Sequence, residues 1–169
     1  MGDVTEDLVA FLKARLDEDE AAARAAAEGP WKLKNSDDDP YWDGGSWDFG
    51  KNASARRNVV RHWHIEGPNV HIESATNDAH FVPDLKHIAR HDPARVLREV
   101  EAMRKMVKRG TEARWLADGD RKARAENGPD WAPGLEFSVQ RERIYFETIL
   151  PYLAEVWSDH PDYRAEWKP

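Results

Sequence analysis

A chain of 169 residues with 40% apolar and 34% charged side chains is long enough to bury a sizeable core and too polar for a fibre or a membrane domain. The absence of cysteine excludes disulfides, thiolate chemistry and Cys-based zinc sites, so any divalent transition metal would have to be held by His, Asp or Glu. The net charge of −7 comes from the first 50 residues, with 13 acids against 5 bases, which argues against direct nucleic-acid binding, an interaction carried by Lys and Arg.

No apolar run approaches the roughly 20 residues that span a bilayer, and MGDVTEDL lacks the basic start and apolar stretch of a secretory signal. The expectation is therefore a single cytoplasmic domain over residues 1–169 with no membrane association. Thr5-Glu6-Asp7-Leu8 reads as a helix start, with a capping hydroxyl and acids in the first turn. Leu8, Phe11, Leu12 and Leu16 follow at spacings of three and four, which predicts one buried stripe. Gly29-Pro30 ends this first helix, expected over 6–28. Its Ala-rich second half offers a surface for homo-oligomer formation.

Beyond it, Trp31-Lys32-Leu33 predicts a short strand near 31–35. Residues 35–50 are dense in turn formers and include Trp42 and Trp47. The stretch RHWHIEGPNVHIES predicts a hairpin over about 57–74, with the turn at Gly67-Pro68. Placing Trp63 and Ile65 beside Val70 and Ile72 sets His64 opposite His71 and His62 opposite Glu73. His62, His64, His71 and Glu73 then gather on one solvated face and form the candidate metal site, because imidazole and carboxylate suit zinc or non-haem iron. A half-buried antiparallel sheet also accepts histidine as ordinary surface, so both readings stand.

Residues 84–91 predict a short helix in which His87 and His91 share a face. Asp92-Pro93 supplies a cap and a first-turn proline for a third helix running to about Arg109, marked by Val96, Val100, Met103 and Val107. Residues 111–125 are expected to be helical, anchored by Trp115 and Leu116. From Ser138 a last long helix presents Phe146, Ile149, Leu150, Leu153, Val156 and Trp157, and Pro151 should bend it. Tyr163 and Trp167 should pin a short terminal turn. The fold class is α+β: a small antiparallel sheet packed by three or four helices, with the first, third and last expected to cover it on one side.

Three stretches, LVAFLKARLDEDEAAARAAAEGPW, HIARHDPARVLREVEAMR and HPDYRAEW, together resemble an uncharacterised family found in actinobacteria and their phages, catalogued only as a domain of unknown function. The resemblance implies no activity, cofactor or catalytic residue. Eight tryptophans are several times the usual share and supply large amphipathic surfaces. The favoured reading is an accessory protein that binds a protein or small anionic ligand through Trp42, Trp47, Trp63, Arg90 and Arg95. Two alternatives stay open: a metal-dependent hydrolase using the His/Glu face, and an acidic mimic of nucleic acid built on residues 17–20 and 37–43.

Overall fold

The computed structural model describes residues 4–35, 61–76 and 81–169; Trp42, Trp47, the acidic stretch 37–43 and residues 57–60 lie outside these. The fold is α+β. In chain order it comprises α1 (Val4–Ala25), β1 (Lys32–Asn35), β2 (Arg61–Gly67), β3 (Val70–Thr76), α2 (Phe81–Arg90), α3 (Pro93–Asn127), α4 (Leu135–Ile144), a π-helical turn (Tyr145–Ile149) and α5 (Leu150–Ala154), with short 3-10 turns at Pro129–Trp131, Glu155–Trp157 and Ala165–Trp167. The chain divides into two compact units, Ala22–Leu97 and a helical unit made of the residues up to Ala21 together with Arg98–Pro169.

In the helical unit the stripe read from the sequence is buried: Leu8, Phe11, Leu12 and Leu16 of α1, alongside Val100 and Val107 of α3, Leu150 and Ala154 of α5, and Trp167. The third helix does not stop near Arg109 but continues unbroken to Asn127. Its buried seam beyond that point is Gly110, Ala113 and Ala117, small residues that let a neighbouring helix approach closely. A Cβ on Gly110 would lie 3.0 Å from Leu150 Cδ1 and 3.5 Å from the side chain of Tyr145. Trp115 and Leu116 are consequently not anchors; Trp115 is 75% exposed, on the far side of the helix from the small-residue seam.

Pro151 perturbs the last helix as expected, and the form of the perturbation is a π-helical turn directly before it. Proline has no N–H to donate, and its ring crowds the carbonyl four residues back, so the chain widens by one residue there. Val156, assigned to the apolar face, is exposed. The tail is pinned as the sequence suggested. Trp167 packs on Phe11 with ring centres 4.9 Å apart, Tyr163 meets Trp167 edge-on at 6.0 Å, and Arg164 pairs with Asp7 at 2.7 Å.

In the other unit, three antiparallel strands lie in the order β1-β2-β3, and α2 packs on β1 and β2. Leu85 of α2, Ile65 of β2 and Ala23 are buried. The hairpin turn is Pro68-Asn69, with Gly67 paired to Val70. Asn69 has φ 60°, the left-handed conformation that asparagine tolerates better than most residues. Asp92 is buried and caps α3, accepting the Arg95 backbone N–H at 2.7 Å through Oδ1. Its Oδ2 accepts the Trp31 backbone N–H at 3.1 Å. The Trp31 indole N–H turns back to the carbonyls of Ala27 and Glu28, each at 3.2 Å.

Candidate functional site

The expected register of the hairpin is corrected by two residues. His64 lies opposite Glu73, Glu66 opposite His71, and His62 opposite Ala75. An even offset leaves each residue on its predicted face, so the backbones of His62, His64, His71 and Glu73 do share one side, with Glu66 and Lys34 added to it. The offset arises because the two-residue turn closes one position later than Gly67-Pro68.

That face is not uniformly wet. His64 is 7% exposed, whereas Ile72, on the opposite face, is 41% exposed. Position in the sheet explains the inversion: β2 is the central strand, so its residues are covered from both sides, while β3 is paired with β2 alone among the described strands. The His64 Nε2 lies 3.1 Å from Glu66 Oε1, and Lys34 Nζ lies 2.5 Å from Glu66 Oε2. The hydrogen bond from Lys34 holds the Glu66 carboxyl below its usual range, with the His64 ring adding to the effect. The His64 and His71 rings are 5.6 Å apart. Among the described residues no group of three or more His, Asp or Glu is gathered tightly enough to hold a metal ion.

Of the expected ligand-binding residues, Trp63 is half-buried and paired with Asn35 and Ser74. Arg95 donates to the Arg90 carbonyl at 3.4 Å, which brings those two arginines together, but Trp63 stands on a different element.

A second site, absent from the sequence reading, lies in the helical unit. A cleft of about 440 Å³ runs between α3 and the α4–π segment. Its apolar wall comprises Ala113, Leu116, Phe137, Ile144 and Ile149, and Arg109, Arg141, Gln140 and Tyr145 supply polar groups. Phe137 is 68% exposed, and the Arg141 guanidinium lies 4.8 Å from its ring centre. Neither Arg109 nor Arg141 has a carboxylate partner among the described residues. Glu112 also lines the cleft, its Oε1 3.8 Å from Lys108 Nζ, and two arginines against one carboxylate leave the lining net positive. Arg109 and Arg141 are far apart in sequence and belong to no motif. The signal that could have found them is the seam Gly110, Ala113 and Ala117, which demands a close partner helix and so forms a groove wall beside Arg109.

A profile of the family of unknown function DUF6221 matches residues 5–169, and the chain belongs to that family. The three stretches quoted from the sequence meet in pairs: GPW reaches HDP through the Trp31–Asp92 bond, and HPDYRAEW packs on the first helix through the Phe11–Trp167 contact. No curated protein and no solved structure matches the chain.

Proposed function

We propose that this is a cytoplasmic accessory protein, in the actinobacterial or phage setting that the sequence resemblance implies, which binds a small amphiphilic anion in the cleft between α3 and α4. The observation that carries this reading is the pair of guanidiniums without carboxylate partners, Arg109 and Arg141, set beside an apolar wall. A cleft of this size falls in the range that small ligands fill, with a few polar groups fixing their orientation. Arginine grips carboxylate, sulfonate or phosphate oxygens by two parallel hydrogen bonds. The wall beside it removes an apolar body from water. The π-helical turn contributes Tyr145 and Ile149 to the lining, and such turns recur at functional sites.

Isothermal titration with decanoate and with 8-anilinonaphthalene-1-sulfonate tests the reading. Saturable binding of one equivalent is expected, weakened about tenfold or more in Arg109→Gln and in Arg141→Gln, because each removes a charge-assisted hydrogen bond. Decanol, with the same chain and no charge, should bind much more weakly. Absence of saturable binding, or binding unchanged in the double variant, overturns it.

A further inference from the structure

His87 and His91 belong to the strand-bearing unit, Ala22–Leu97. They are four residues apart, the spacing that stacks side chains on one helix face. His91 lies just past the end of α2, yet its backbone N–H still bonds the His87 carbonyl at 3.0 Å and the Ile88 carbonyl at 3.2 Å. Its backbone therefore continues the helical hydrogen bonding that sets the spacing. The next residue, Asp92, is fixed by its two backbone hydrogen bonds. Both imidazoles are exposed, and neither makes a hydrogen bond or ion pair with any described residue. Their ring centres are 4.4 Å apart, with planes inclined by 39°.

That separation fits two rings held by one ion. An imidazole nitrogen binds a divalent metal at about 2.05 Å, which puts the ring centre about 3.2 Å from the ion. Two such rings on one ion stand about 4.5 Å apart at a right angle and about 5.2 Å apart at the tetrahedral angle. The observed 4.4 Å matches the right angle. The His64–His71 pair, at 5.6 Å, is wider than the tetrahedral value, and its His64 Nε2 already faces Glu66.

We propose that His87 and His91 chelate a late first-row divalent cation of square-planar or octahedral preference, Ni²⁺ or Cu²⁺, at the C-terminal end of α2. Imidazole suits these ions, and right-angled coordination distinguishes them from tetrahedral zinc. The carbonyl end of the helix dipole favours a cation at this position. Water completes the coordination sphere.

The test is titration of the untagged full chain with NiCl₂ at slightly alkaline pH, where imidazole is neutral as coordination requires. Calorimetry should show one saturable equivalent, and the paramagnetic ion should broaden the His87 and His91 imidazole resonances first. His87→Gln and His91→Gln should each weaken binding about tenfold or more by removing one of two ligands, while His71→Gln leaves it unchanged. Zn²⁺ should bind less tightly than Ni²⁺. Non-saturable heats, binding retained in His87→Gln, or earlier broadening at His64 and His71 would overturn the site. Tighter binding of Zn²⁺ would overturn the geometry assigned to it. The cleft variants do not touch these residues, so the two proposals stand or fall separately.

Discussion

Asp92 carries the backbone N–H of Trp31 on one carboxylate oxygen and the N-terminal turn of α3 on the other. Asp92 and Trp31 are 61 residues apart, so a single buried side chain ties the exit from the first helix to the start of the third. Removing it strips a helix cap and leaves a second N–H without its acceptor. Asp92→Ala should cost about 2–4 kcal/mol, the sum of a cap and an orphaned donor. Asp92→Asn keeps one acceptor oxygen and a capping side chain, so it should cost less. Urea denaturation of the three proteins checks the order; equal stability of the alanine variant and the parent would sink it.

Tyr163 supplies the opposite case. Its ring stands edge-on to Phe11 at 6.1 Å, while its hydroxyl is buried with no hydrogen-bond partner among the described residues. Burying an unpartnered hydroxyl is unfavourable. Tyr163→Phe keeps the ring and should be neutral or stabilising by up to about 1 kcal/mol. Trp167→Ala, by contrast, empties a buried site on Phe11 and should cost about 3–5 kcal/mol. A loss of more than a kilocalorie in the phenylalanine variant would show that the hydroxyl does have a partner.

Two glycines in the same helix should respond differently to alanine. A Cβ at Gly119 meets nothing within 4 Å, so Gly119→Ala gains helix propensity and should stabilise by about 0.5–1 kcal/mol. At Gly110 the new methyl meets Leu150 at 3.0 Å, and overpacking of about 1–3 kcal/mol offsets the same propensity gain. Thermal melts of the two variants should therefore shift in opposite directions, or at least differ by several degrees with Gly119→Ala the higher.

The pH dependence has two carboxyl contributions of opposite sign. Glu66 is held below its usual range, chiefly by Lys34. Its contribution is present above the unfolded-state value near 4.3 and is lost as pH falls through the lower folded value. Glu66→Gln should flatten the acid side of the stability profile. Asp19 is pushed upward, first by burial and then by the charge of Glu18, against the hydrogen bond from Trp157. Its contribution is fully present below the unfolded value near 3.9 and is lost as pH rises through the raised folded value. Asp19→Asn should thus stabilise the protein at neutral pH, by no more than about 0.5 kcal/mol given the solvent that reaches it. Denaturation midpoints across pH 3–7 separate the two effects.

Local signals in the sequence were sufficient for α1, whose leucine stripe is buried, and for the Asp92-Pro93 helix start. They were sufficient too for the partition of the hairpin into a histidine-bearing side and an apolar side. They misplaced the turn by one residue, because Gly67-Pro68 and Pro68-Asn69 both carry turn chemistry. The burial of His64 depends on β1 lying beside β2, a long-range pairing with no local trace. Trp115 and Leu116 looked like anchors because large apolar residues usually are; beyond Val107 the buried side of α3 is instead its small residues, where helices approach most closely. The cleft was missed for a related reason: Arg109 and Arg141 line one cavity only because α3 meets α4, and the small-residue seam was the one trace of that meeting.

The Pro68-Asn69 turn has a consequence for engineering the hairpin. Faces of paired strands alternate with every residue, so a connection lengthened by two or four residues at its tip would preserve which side chains point where. One lengthened by a single residue, if the turn itself stays two residues long, would exchange the sides of β3 against β2, which β1 holds in place. Peptide epitopes or reporter loops grafted between Gly67 and Val70 should accordingly be designed with an even number of added residues.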